Sequence, residues 1–192
     1  MKKFVLMAVA LFAVGCISAQ NLKDEIAKSK ERSAKLEKLY KDYKTSGVAN
    51  IDGYGNSIKE AAIFAIQNSE KLEGMYKRQI GENKDGVTDV TIQKPSIDEW
   101  TSLATTVAGE GVKIKEATDK AKGAAEEAKN MAQNASSEKN PMKAAKAAKT
   151  AKAATAVIEF GNAATPILLE ESAAQVKAIN EIINTLKSGK NL

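Results

Sequence analysis

Residues 96–135 read SIDEWTSLATTVAGEGVKIKEATDKAKGAAEEAKNMAQNA. Trp100, Leu103, Val107, Glu110 and Ile114 recur at alternating spacings of three and four, and the series continues as Ala117, Ala121, Ala124, Ala128, Met131 and Ala135. That period is the seam of one long helix packed on neighbours. Ser96 and Glu99 form a capping box at its start, with Asp98 and Glu99 in the first turn where the helix dipole favours acids. Halfway along, the seam changes from large side chains to alanine, which lets two helix axes approach closely. Gly109 and Gly111 predict a break or bend, because glycine costs about 1 kcal/mol in a helix interior.

The flanking segments carry the same period. Leu22, Ile26, Ser29, Ser33, Leu36, Tyr40 and Tyr43 make a seam with two serines, too polar to hold a coiled coil alone, so this helix leans on the rest of the chain. The glycines and asparagines of Gly47 to Asn56 predict a loop, and Ser57 with Glu60 predicts a second capping box and a helix starting there. That helix buries Ile58, Ala62, Ala65, Ser69, Leu72 and Tyr76, and Ile63, Phe64 and Ile66 make its first turns apolar nearly all round. Gly81 to Lys94 reads as a loop with a short extended piece at Val87 to Ile92. After a turn at Ser136 to Asn140, Pro141 opens a last helical segment to about Ser188, predicted as two collinear pieces broken near Gly161 and Pro166. Its second piece is expected to supply Ile167, Leu168, Ala174, Val176, Ile179, Ile182, Ile183 and Leu186 to the core. The expected fold class is all-α: an antiparallel helical bundle whose long, alanine-rich C-terminal hairpin forms a thin stalk away from the end holding Trp100 and Ile179. No repeat of solenoid period is present.

Composition removes several chemistries. The 192 residues contain no histidine and one cysteine, so a Ser-His-Asp triad, a Cys/His zinc site and a Glu-x-x-His di-iron motif are all excluded. The cysteine falls in MKKFVLMAVALFAVGCISAQ: Lys2 and Lys3, an apolar run from Phe4 to Val14, and small residues ending at Ala19. This is the pattern of an export signal occupying residues 1–19, with residues 20–192 as a single helical-bundle domain. The apolar run is too short to span a bilayer, which takes about 20 residues. A competing reading makes Ala13 to Cys16 a lipobox and the protein a lipoprotein anchored through Cys16; Ala13, where lipoboxes usually carry leucine, weighs against it.

Loss of the signal lowers the formal net charge from +5 to +3, and the remaining excess is local: ten lysines and five acids lie between Val112 and Lys152. Lys139, Lys143, Lys146, Lys149 and Lys152 follow one another without an acid between them. Steps of three residues fall 60° short of a full turn, so they wind over half the helix circumference as a broad basic surface. This surface matches phosphate or sulfate groups on lipopolysaccharide, anionic lipid or polysaccharide, and equally serves to solubilise an alanine-rich helix. Nucleic acid fits poorly, since the chain has two arginines, Arg32 and Arg78, and no aromatic residues interleaved with basic ones.

Other motifs carry less. Asn83 to Asp89 resembles the middle of a calcium-binding EF-hand loop, yet Gly81 and Ile92 stand where the first and last ligands belong, so an Asp-Gly turn is expected. Adjacent acids at Asp24-Glu25, Asp98-Glu99, Glu126-Glu127 and Glu170-Glu171 point about 100° apart on a helix and are read as solvated. Ser136 to Lys139 is a weak Ser-x-x-Lys without supporting elements. Ala153 to Leu169 is the most apolar stretch after the signal; Glu159, Asn162 and Pro166 interrupt it and favour a buried helix over a membrane-inserting one.

The expectation is an exported, non-enzymatic helical protein without cofactor or metal, with a binding or scaffolding role in the periplasm or at the cell surface. Its partner is an anionic surface or another protein, and its working surfaces are the lysine-rich stalk and the Gly47 to Asn56 and Gly81 to Lys94 loops. The alternatives are a membrane-active effector whose hairpin inserts, and a hydrolase whose carboxylates converge only in three dimensions. Mass spectrometry of protein from the native host is expected to find Gln20 at the N-terminus without lipid; a diacylglycerol on Cys16, or an intact Met1, would overturn the signal assignment.

Overall fold

In the computed structural model, which describes residues 19–82 and 91–192, four helices account for 86% of the described residues, with no strand among them. They are α1 (Ala19–Lys41), α2 (Ala49–Ile80), α3 (Ile97–Ser137) and α4 (Pro141–Lys187). The helix α1 packs on α2 and α4, and α3 packs on the same two from the other side, so the chain is an all-α bundle.

Two helix starts follow from the sequence. Ser96 caps α3 with the reciprocal Ser96–Glu99 box, and Asn140 Oδ1 accepts from the backbone N–H groups of Met142 and Lys143 with Pro141 at the first helical position. The third differs from expectation. Helix α2 begins at Ala49, not Ser57, and absorbs most of the anticipated Gly47 to Asn56 loop. Its N-cap Val48 has no side chain to cap with, and Asp52 in the first turn compensates by accepting from Ser46 N–H (2.6 Å), Ser46 Oγ (2.7 Å) and Gly47 N–H (2.8 Å). The carboxylate thereby closes the preceding turn while sitting where the helix dipole favours it. Ser57 lies inside the helix, its hydroxyl donating to Gly53 O. At the other end Gly81, with φ 73°, supplies the left-handed C-cap. Most of the Gly81 to Lys94 loop, including the calcium-loop resemblance at Asn83 to Asp89, lies outside the described residues.

The expected breaks at Gly109/Gly111 and Gly161/Pro166 do not occur, for α3 and α4 run through them. A glycine's cost of about 1 kcal/mol is small beside the burial of Val107, Ile114, Phe160 and Ala164 on either side. Two of these glycines allow contact instead. A Cβ on Gly111 would meet Ser172 Oγ at 3.0 Å, and one on Gly161 would land on the Tyr54 ring, itself 1% exposed. Gly55 plays the same part in α2, where a Cβ would strike Tyr43 Oη and Val157 Cγ1, both at 2.6 Å. Pro166 and Asn162 are exposed, so the carbonyl that the proline leaves without its usual partner is on the solvent side.

The core divides into two clusters. One holds Leu22, Ile26, Leu72, Trp100, Leu103 and Ile179, where the N-terminal end of α1 meets the C-terminal end of α4. The other holds Leu36, Ile51, Tyr54, Ile58, Ile114 and Leu168 and then thins into alanine, through Ala117, Ala124, Ala128 and Ala154. Beyond it α3 and α4 continue as the expected alanine-packed hairpin. The start of α2 is well enclosed, with Ile51, Tyr54 and Ile58 fully buried, but the apolar run expected to be buried nearly all round falls in mid-helix and is less enclosed: Phe64 is 46% exposed and Ile63 and Ile66 are half-buried.

Gly161→Ala is expected to destabilise the fold by about 1–3 kcal/mol through overpacking against Tyr54. Gly109→Ala, where nothing lies within 4 Å of the added Cβ, should be stabilising by about 0.5–1 kcal/mol. Urea unfolding of the two variants reads both signs, and equal effects would refute the packing role.

Candidate functional site

Between the two clusters lies a polar layer that the sequence reading missed. Glu171 is fully buried, and Arg32 is 7% exposed. Arg32 Nε donates to Glu171 Oε2 at 2.5 Å and Nη2 to Glu25 Oε1 at 2.5 Å, with Glu170 farther off at 3.4 Å. The other Glu171 oxygen accepts from Ser29 Oγ and from Gln175 Nε2, which also donates to Ala65 O at 3.2 Å; Ser29 and Ser69 share a hydroxyl bond of 2.7 Å. Burial opposes the Arg32 charge, but the hydrogen bonds it donates to Glu171 and Glu25, with the charges of those two acids, outweigh it and raise its pKa.

This layer is where converging acids exist. Both Glu171 oxygens are occupied by donors and the side chain has no exposed surface, so the arrangement ties helices and offers nothing to a substrate. Helix α3 joins through Glu110, whose Oε2 accepts from Asn68 Nδ2 at 2.6 Å, and through Ser172 Oγ donating to Val107 O at 3.4 Å. Burial pushes the Glu110 carboxyl above its ordinary pKa, against the smaller opposing pulls of Asn68 and Lys113. Among the described residues no group of three or more cysteines and acids is placed to hold a metal ion.

The open concave surface lies elsewhere, along the seam between α1 and α4. A groove of about 950 Å³ has Leu39, Tyr43, Phe160 and Ile167 in its lining and is deepened by Ala153, Ala156 and Ala163. Lys35, Lys38 and Lys44 from the α1 side and Lys149 and Lys152 from α4 edge it, against two acids, Asp42 and Glu159. None of these five lysines makes an ion pair with a described residue. Tyr43 is a fixed wall: its ring packs on Phe160 at 4.8 Å between centroids, its hydroxyl donates to Asn56 Oδ1 at 3.0 Å, and Lys59 Nζ lies 5.7 Å from the ring centroid. Burial, with the Asp52 charge adding to it, raises the Tyr43 pKa and keeps the phenol neutral.

All five lysines expected to form the basic surface are exposed, but the fold separates them. Lys149 and Lys152 turn into the groove and join the α1 lysines. Lys143 and Lys146 lie along the stalk, and Lys139 sits in the turn at its tip, beside Met142, which is 84% exposed. Sequence reasoning missed Lys35, Lys38 and Lys44; Lys35, Lys38 and Leu39 stand at helical spacing, but their meaning depends on which α4 face lies opposite. No protein-family model matches this chain, and neither characterised proteins nor solved structures show a match to it.

The raised Glu110 pKa sets a pH dependence. The folded protein holds this proton to higher pH than the unfolded chain does, so the stabilisation is complete below the ordinary carboxylate range and is lost as pH rises through the elevated pKa. Glu110→Gln keeps an acceptor for Asn68 and removes the charge, so it should stabilise the protein at about pH 7 and have little effect at about pH 3.5. Denaturant titrations at both pH values check this; a stability difference that does not change with pH would refute it.

Proposed function

We propose that this is an exported, non-enzymatic helical-bundle protein that works by binding an anionic partner in the periplasm or at the cell surface. The observation that supports it most is the set of exposed lysines without ion pairs on the α1–α4 side and along the stalk, facing two acids in the groove. A solubilising role needs no apolar surface between the charges, and here one exists. The signal-like pattern of residues 1–19 supports a location for that surface outside the cytoplasm.

A second reading, engagement of a membrane by the hairpin tip, draws on Met142, exposed beside Lys139 and Lys143. No described helix is long and apolar enough to cross a membrane, and residues 153–169 spend most of their large apolar side chains on the core, with Val157, Ile158, Phe160 and Leu168 buried and Leu169 exposed. Such engagement is therefore peripheral.

Binding to lipopolysaccharide, anionic vesicles or acidic polysaccharide is expected to weaken sharply with salt, since charges act over only about 8 Å at physiological ionic strength. Changing Lys143, Lys146, Lys149 and Lys152 together to glutamine should abolish it with helicity nearly unchanged, because lysine and glutamine have similar helix propensity. Co-sedimentation and circular dichroism measure the two arms. Full retention of binding in the quadruple variant, or no binding by the wild type at low salt, would leave the lysines only solubilising; release of vesicle contents would support the inserting effector instead.

A further inference from the structure

We infer that the α1–α4 groove is a site for a single-chain lipid with an anionic head group, the head held by Lys44, Lys149 and Lys152 and the acyl chain laid toward Ile167. This deepens the reading above and rests on it for the anionic character of the partner.

The charge and the apolar surface are arranged in sequence along the groove. The two helices run antiparallel, as Arg32 meets Glu171 and Tyr43 meets Phe160 eleven residues farther along each. Continuing in that direction, α1 ends at Lys41 while α4 goes on, so Lys44, Lys152 and Lys149 come at the stalk end and Ile167 at the other. Lys152 to Ile167 spans about 22 Å at 1.5 Å per residue, enough for a long acyl chain lying extended. The alanines at 153, 156 and 163 leave that length open, since any larger side chain there would fill it. The volume of about 950 Å³ falls within the range of small-molecule sites. Lys35 and Lys38 border the apolar part, where their methylene stems can cover a chain while the ammonium groups stay in water.

Charge complementarity selects this occupant over a polyanion. An acidic helix or polysaccharide laid along the groove would carry charge past Asp42 and Glu159, which line its middle, and a polysaccharide would have no use for Leu39, Phe160 and Ile167. An amphiphile with one charged end meets lysines at that end and presents only hydrocarbon to the rest.

The test uses the full exported chain and palmitate below its micelle concentration, followed by isothermal titration. Saturable binding near one equivalent is expected, weaker by more than about tenfold for a chain four carbons shorter, each buried methylene being worth roughly a factor of four. Palmitoyl lysophosphatidic acid should bind as well, and hexadecanol and glycerol phosphate poorly. The K44Q/K149Q/K152Q variant should lose about tenfold or more in palmitate affinity. Ala156→Trp and Ala163→Phe, at exposed positions in the groove, should block the chain with circular dichroism unchanged. Absence of saturable palmitate binding, equal binding of the shorter chain, or unchanged affinity in both variant sets overturns the inference, as does a groove-filling variant that only splits a dimer, which would assign the groove to a second copy. If palmitate fails while vesicles still bind through Lys143 to Lys152, the groove assignment falls and the anionic-surface reading stands; palmitate binding without any vesicle or polysaccharide binding does the reverse.

Discussion

The Arg32–Glu171 pair is the constraint on which the register of the bundle depends. A carboxylate with no exposed surface is tolerable only when its charge is matched and its lone pairs are used, and Glu171 has a guanidinium on one oxygen and Ser29 and Gln175 on the other. Sliding α4 past α1 by a single turn would leave Arg32 with its α1 neighbour Glu25 but strand Glu171 without a counter-charge, a loss of the order of 3–5 kcal/mol for breaking a buried pair. Apolar seams of leucine, isoleucine and alanine impose no such penalty, because one aliphatic contact replaces another. The layer therefore discriminates between alignments that the two hydrophobic clusters would accept. Its hydrogen bonds reach α2 through Ser69 and the Ala65 carbonyl, and beside it two separate bonds tie in α3, Asn68 to Glu110 and Ser172 to the Val107 carbonyl.

With the register set, close approach becomes possible at particular points. Gly161 admits the Tyr54 ring, Gly55 admits Tyr43, and Gly111 lies against Ser172. Each glycine sacrifices helix propensity for a contact that exists only at one alignment, so polar layer and glycine contacts reinforce each other. Toward the stalk the demand relaxes. Alanine against alanine brings the α3 and α4 axes together but buries little area, which makes the hairpin's far end a structure of two helices carrying lysine on its outward faces.

Much of this was legible. The α3 seam from Trp100 to Ala135 is buried almost throughout, because a period sustained over ten turns has one structural solution, and the Ser96 box and Asn140-Pro141 junction form as local chemistry dictates. What failed were inferences from residue type without tertiary context. Glycine at 53, 55, 109, 111 and 161 suggested loops and breaks, and whether a helical glycine breaks a helix or admits a neighbour depends on what lies across from it. Ser57-Glu60 had the letters of a capping box but stood inside a helix already begun at Ala49. Glu170 and Glu171 diverge, but the reading of the pair as solvated holds for Glu170 alone: Glu171 turns inward, a difference set by Arg32 some 140 residues earlier and invisible to any local pattern. For the groove, the α4 lysines were visible and the α1 lysines were not, since a surface made of two helices has no signature in either.

The groove itself follows from unequal helix lengths. Helix α1 has 23 residues and α4 has 47, and the antiparallel pairing fixed at Arg32–Glu171 uses up α1 well before α4 reaches its start. On the side where α3 lies, α4 is covered for nearly its whole length; on the α1 side the cover stops near Phe160. A helix face built from Ala153, Ala156, Phe160 and Ala163 is thus left open beside the end of α1, and the lysines that keep such a face in solution, Lys149 and Lys152, become its border. On the inferred role the same residues would answer two demands, holding an apolar strip in water when it is empty and supplying counter-charge to an anionic amphiphile laid along it. A strip covered by a longer α1 would need no lysines, and lysines without the strip would gather anions without selecting for hydrocarbon.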